Sequence, residues 1–312
     1  MKNSLSESSY TQPETSWREG SGAVYLALLL VQIFFGLHYF AAKIVLAEIS
    51  APAWAAIRVT CAAIIMLLLC VPRARKAFPR SARDIGALFI YSVFGVMINQ
   101  VCFTEGLART TPTHSAIINS SIPVATLLFA ILLGKERYSL GKLISITISL
   151  SGVLYLLKIE QFQLNDAQMV GDLLTFTNAM SFSLFLVISK ELVMRYDSFV
   201  TTAILLAFGS LGISSYSYRA LLDFDHTKVS SSVWLFALFI VIFPTVLAYF
   251  FNYWALKRVE SSLVAFFIYI QPPLAATLSI AFRNEKLTLR MVISAVLIFT
   301  GFFLSTQVRR TS

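Results

Sequence analysis

The chain has 312 residues, of which 57% are apolar and only 13% charged, against roughly half and about a quarter in soluble domains. One water-facing core cannot hide that excess, so the composition makes the bilayer the solvent and excludes an ordinary soluble enzyme. The formal charge of +9 does not indicate nucleic acid, because the basic residues are scattered between apolar runs and form no stripe with interleaved aromatics.

Residues 1–22 are polar and Ser-rich, with both signs of charge. They lack the basic start, short apolar stretch and small-residue cleavage site of a signal peptide, and are expected to be a disordered cytoplasmic tail. Apolar stretches close to the ~20 residues that span the hydrocarbon then follow. They fall at 23–42, 52–71, 84–108, 112–134, 139–157, 170–189, 199–220, 232–256, 261–282 and 289–308. The expected fold is an all-α polytopic membrane protein with ten transmembrane helices. Cys61, Cys70 and Cys102 lie inside these runs without metal-ligand or paired spacing and read as packing residues.

With the N-terminus inside, sixteen Lys and Arg fall on inner segments and seven on outer loops. That bias places both termini in the cytoplasm, and the short loops suggest the inner membrane of a bacterial cell. The densest basic piece, Arg73 to Arg83, reads either as a contact for anionic lipid headgroups or as a topology anchor only.

The chain also repeats itself. At a constant shift without a gap, the same residue recurs at Arg109/Arg258, Ala116/Ala265, Pro123/Pro272, Glu136/Glu285, Leu140/Leu289, Ser145/Ser294 and Gly152/Gly301. Shared hydrophobicity does not match a mid-segment proline, a following glutamate and a later glycine together. The halves are 23–157 and 170–308, joined by a loop at 158–169. Five helices per half return the chain to the opposite side, so the second copy is inverted, a construction of secondary transporters whose halves open one site to either face in turn.

These residues resemble the EamA-like permeases of the drug/metabolite transporter superfamily. The pattern per half reads Gly106-Leu107-Ala108, Pro123, Glu136 and Gly152, then Ala255-Leu256, Pro272, Glu285 and Gly301, with Lys43 and Lys190 closing the opening helices. Arg58 matches an Arg common early in the second helix, whereas Leu205 stands near that place in the second half. The resemblance implies a permease for amino acids, other metabolites or drugs, with nucleotide-sugar carriers as relatives.

Polar groups inside apolar spans are costly unless paired and are candidates for a pathway. They are Asn99 and Gln100 in helix 3, Asn119 with Ser120 and Ser121 in helix 4, Asn178 in helix 6, and Tyr269 and Gln271 in helix 9. Pro123 and Pro272 are expected to kink their helices beside these groups, so the set reads as a shared substrate cavity with paired gating bends. Interhelical hydrogen bonding is the structural alternative. Arg58 needs a partner or water: a structural pair, or a clamp for a substrate carboxylate. Glu105 is the one acidic residue expected as a proton carrier, unless it pairs with Arg109 one turn on. His38 and His114 are packing residues or proton sites; Glu136 and Glu285 read as caps or a gate pair. The aromatic runs Tyr249 to Trp254 and Phe266 to Tyr269 serve either core packing or ligand stacking.

No phosphate loop, metal-ligand spacing or nucleophile elbow is present, so no enzyme activity, metal or cofactor is expected, and an ATP-driven pump has no domain to use. The expectation is a secondary transporter that exports small polar metabolites such as amino acids by alternating access. A metabolite antiporter is the nearest alternative; a channel or membrane-embedded enzyme is further off. The partners are a small-molecule substrate and membrane lipids, with no nucleic acid and a homo-oligomer left open.

Overall fold

A computed structural model of the chain describes residues 21–79, 81–135, 139–156, 166–258, 264 and 267–310. All but two residues of the expected tail lie outside these, as do most of the inter-repeat loop and Glu136. Among the described residues there is no strand. The main helices are α1 (Ser21–Val45), α2 (Ala51–Ala77), α3 (Ala82–Arg109), α4 (Pro112–Leu132), α5 (Leu140–Leu156), α6 (Ala167–Arg195), α7 (Ser198–Tyr216), α8 (Ser231–Ala255), α9 (Gln271–Arg283) and α10 (Leu289–Arg310).

Seven of them, α1 to α4 and α6 to α8, are long and apolar enough to cross a membrane. The others are shorter in this respect: α5 has 17 residues, the apolar part of α10 is Leu289–Gly301, and α9 has 13 residues behind a 3₁₀ turn at Phe267–Ile270. Side-chain caps set several boundaries. Asp166 accepts from the amides of Gln168 and Met169 to open α6, Asp197 accepts from Phe199 and Val200 to open α7, and Thr111 accepts from His114 to open α4. Each satisfies amides that a helix start leaves without partners.

The bundle is built from matched pairs. Extensive packing joins α5 with α10 and α2 with α7. In the first, a side chain added at Gly152 would meet the Ser294 carbonyl at 2.9 Å, and one added at Gly301 would meet the Ser145 carbonyl at 2.6 Å. These residues are repeat equivalents, so each copy presents the same patch to the other, as across a two-fold axis. Because 145 faces 301 and 152 faces 294, the two helices run antiparallel. The remaining pairs are mirrored too: α3 packs on α6 as α8 packs on α1, and α4 on α6 as α9 on α1.

Loop contacts sort the helix ends into two sets. At one end Glu48 accepts from the backbone amide of Ser230 (2.7 Å), Lys43 reaches the Thr110 carbonyl (2.7 Å) and Arg290 the Tyr155 carbonyl (2.6 Å). At the other Tyr196 donates to Asp84 (2.5 Å), Lys257 to the Tyr196 carbonyl, and Lys135 pairs with Glu191.

The prolines depart from the expected kinks. α4 breaks at a turn through Ser120 and Ser121 and resumes as Ile122–Leu132, so Pro123 is the second residue of a new helical segment; Pro272 is likewise the second residue of α9. There a missing N–H costs nothing, since the first amides of a helix have no intrahelical acceptor. At the break the Ser120 hydroxyl donates to the Ile117 carbonyl (2.6 Å) and the Ser121 hydroxyl to that of Ile118 (2.7 Å), carbonyls that also accept the Ser120 and Ser121 amides. True mid-helix irregularity lies elsewhere. A π-helical turn interrupts α3 at Val93–Ile98 and α8 at Val241–Leu247, and the repeat shift pairs Gly95 with Pro244. Pro244 has no amide to offer Ile240, and the Thr245 hydroxyl bonds that carbonyl at 2.8 Å instead.

Candidate substrate site

A cavity of about 100 Å³ lies inside the bundle beside the helix breaks, lined from α1, α2, α3, α4, α6 and α8 and from the start of α9. A single water needs about 10–15 Å³ on such a measure, so the space suits a small metabolite.

A continuous chain of side-chain hydrogen bonds crosses the wall of this cavity. Gln100 Nε2 donates to the Tyr249 hydroxyl (2.6 Å) and to Asn99 Oδ1 (3.0 Å), and Asn99 Nδ2 donates to Asn178 Oδ1 (2.6 Å). Asn178 Nδ2 donates to Asn119 Oδ1 (2.8 Å), Asn119 Nδ2 to the Tyr39 hydroxyl (2.9 Å), and Tyr39 to Gln271 Oε1 (3.0 Å); Gln271 then donates to Gln32. The members come from both halves. Each pairs groups that would be costly alone in hydrocarbon. Two polar atoms of the lining have no partner within the protein: Gln100 Oε1 and the Tyr253 hydroxyl, both buried. Native structures seldom leave such atoms unmet.

Beside the chain, Arg58 lies buried, with Nε donating to Thr245 Oγ1 (2.9 Å) and Nη1 to His38 Nε2 (3.1 Å). A guanidinium only donates, so His38 Nε2 is the acceptor. The His38 ring stacks on Phe103 with centroids 4.9 Å apart.

The structure thus brings Asn99, Gln100, Asn119, Asn178, Gln271 and His38 to one cavity wall. Tyr269 is elsewhere: its ring packs edge-on against Phe299 (4.8 Å) with the Ile117 and Ile118 cluster, because residues two apart on a helical turn face opposite ways. Glu105 is not in the lining, and its carboxylate is ion-paired with Arg109. Pro123 and Pro272 adjoin the lining residues Ile122 and Gln271 without lining it themselves.

Several cavity residues escape sequence reasoning. Gln32 and Tyr39 lie seven residues apart on one face of α1, a spacing that was legible. Within the aromatic run of α8, helical spacing selects Tyr249, Asn252 and Tyr253 for the cavity, while Phe250 packs on Phe199 (4.0 Å). Glu105 is also not the one buried acid. Asp172 in α6 is 3% exposed and bonded to Thr110 and to His114 Nδ1 (2.8 Å); its signal was a carboxylate two residues into an expected apolar span.

With this geometry in hand, comparison with known proteins is decisive at the level of family. Residues 22–158 and again 169–307 match the EamA-like transporter family. The chain belongs to that family. This EamA-like transporter is 24% identical over 248 residues to the uncharacterized transporter YetK of Bacillus subtilis, covering 78% of this chain and 73% of YetK. It is 23% identical to YyaM of the same organism, covering 92% and 94% of the two chains, and 23% identical to an uncharacterized transporter of Archaeoglobus fulgidus, covering 91% and 99%. A solved crystal structure superposes with a TM-score of 0.63 over 93% of this chain and 98% of the other at 16% identity, which shows a shared fold. The chain is therefore an integral, multi-pass membrane transporter, with a small molecule as its substrate.

Proposed function

We propose that this EamA-like transporter exports small polar metabolites, amino acids among them, across the cytoplasmic membrane by alternating access. In this proposal each family match is one repeat of five crossings, the second is inverted, and both termini are cytoplasmic. The observation that carries it is the hydrogen-bonded chain from Tyr249 through Asn178 to Gln32, which joins both halves around one cavity. Rocking one half against the other must rearrange that chain, and a solute in the cavity biases the rearrangement through the same amides. The antiparallel α5–α10 crossing and the two sets of loop contacts support an inverted arrangement.

The test is release of a metabolite panel from cells or vesicles containing the chain, with Asn99→Leu, Asn119→Leu and Gln271→Met as variants. All three are expected to transport at least tenfold more slowly with normal amounts in the membrane. Wild-type transport in all three would remove the cavity from the pathway.

A further inference from the structure

Among the described residues that line the cavity, one carries a permanent charge. Arg58 projects from α2 and is 1% exposed, and no Asp or Glu is among the described lining residues. Among the described residues no ion pair includes Arg58. Four acids pair elsewhere: Glu105 with Arg109, Asp172 with His114, Glu191 with Lys135 and Asp225 with Lys228. The two hydrogen-bond partners of Arg58, Thr245 and His38, are neutral acceptors. They orient the guanidinium and occupy two of its five N–H donors, leaving its charge uncompensated. Such a charge at the centre of a membrane bundle is expensive and marks a functional position unless an anion joins it.

We infer that Arg58 is the anchor for a carboxylate of the transported solute, an inference that rests on the cavity being the transport site. The rigid planar fork of arginine matches a carboxylate, and Thr245 and His38 hold that fork from behind. The Tyr249 hydroxyl, bonded to Gln100, lies on the same wall, so a small molecule held by Arg58 borders the amide chain. The remaining lining is neutral amide, aromatic and aliphatic, with Phe35, Phe103, Phe182 and Leu186 offering apolar faces. One carboxylate neutralises the site; a solute carrying only an amine is repelled, and a second carboxylate has no partner. Amino acids and plain monocarboxylates share the recognised group.

The full chain in proteoliposomes decides the matter. Radiolabelled L-leucine, 4-methylpentanoate, leucinamide and 4-methylpentanamide form two pairs matched in shape, each with and without the carboxylate. At least one carboxylate is expected to enter in a protein-dependent way, at least tenfold faster than its amide. Arg58→Gln is expected to erase that preference. Arg58→Lys keeps the charge without the fork and is expected to retain part of it. Should Arg58→Gln fail to yield folded protein, the Lys variant decides, with a carboxylate-to-amide ratio well below wild type supporting the anchor. Amides carried as fast as carboxylates, or a folded variant with the wild-type ratio, would overturn the role of Arg58 alone. No protein-dependent flux of any probe would remove the transport role proposed for the cavity and the anchor with it. Faster leucine than 4-methylpentanoate supports the amino-acid form; the reverse supports a plain monocarboxylate on the same arginine.

Discussion

Replacing Gly301 by alanine tests the pseudo-symmetric crossing that pins the two halves together. A Cβ built there lies 2.6 Å from the Ser145 carbonyl, 2.7 Å from the Ser149 nitrogen and 2.8 Å from the Ser149 Cβ. Two of those obstacles are backbone and none can rotate aside, so α10 must move off α5 by about 1 Å to reach ordinary carbon contact distance. Overpacking of this kind costs about 1–3 kcal/mol, and the loss of close small-residue contact is felt directly in a bilayer, where packing drives helix association. At the mirror position, Gly152→Ala meets the Leu297 Cβ at 2.8 Å, the Ser294 carbonyl at 2.9 Å and the Ile298 Cγ1 at 3.1 Å. That is slightly roomier, so its cost falls toward the lower end. Since one shift of α10 relieves both clashes, the double variant is expected to lose less than the sum of the two. Gly86 has nothing within 4 Å of its Cβ position, so Gly86→Ala serves as a control that leaves stability equal or higher by up to about 1 kcal/mol. Thermal unfolding of the purified protein in detergent, followed by circular dichroism, reads the series. Wild-type midpoints for both Gly152→Ala and Gly301→Ala would refute the close antiparallel crossing, as would a larger loss at Gly152 than at Gly301.

Two further outcomes follow from the arrangement of the halves. Reporter fusions after Arg83 and at the C-terminus are expected to read cytoplasmic, and fusions after Asp166 and near Asp225 external; a cytoplasmic signal near Asp225 would sink the ten-span inverted arrangement. Pro123→Ala and Pro272→Ala each replace the second residue of a helical segment, so both variants should insert with stability within about 1 kcal/mol of wild type. Transport is expected to slow severalfold in each, because the segment can then extend through the break beside the cavity; two variants with unchanged rates would show that the breaks have no part in gating.

Much of the site was legible because a bilayer makes polarity conspicuous. Asn99, Gln100, Asn119, Asn178 and Gln271 stand out in apolar runs, and the structure sets them in one hydrogen-bonded wall. Tyr269 misleads because Gln271, two residues on, turns inward while the tyrosine faces α10. Reading Pro123 and Pro272 as kinks located the breaks to within a few residues and mistook their form, since spacing does not tell a bend inside a helix from the start of a new one. The π turns of α3 and α8 left a trace only at Pro244, as Gly95 is an ordinary residue until Phe185 is seen against it. Asp172 passes as a helix-start acid until His114 and Thr110 arrive from another part of the chain.

The sequence by itself determined the solvent, the helical class and the internal duplication, because these follow from quantities local to the chain: apolar length, charge count and residue identity at a fixed shift. Only the tertiary structure decided which polar groups meet. Arg58 and Thr245 lie 187 residues apart in the chain, Tyr39 and Gln271 232, and nothing in either neighbourhood states the pairing. Whether a buried guanidinium is compensated depends on every acid in the bundle having been placed elsewhere. That is a property of the packed helices, whose crossing at Gly152 and Gly301 sets how closely the two copies approach and thus which side chains share the cavity.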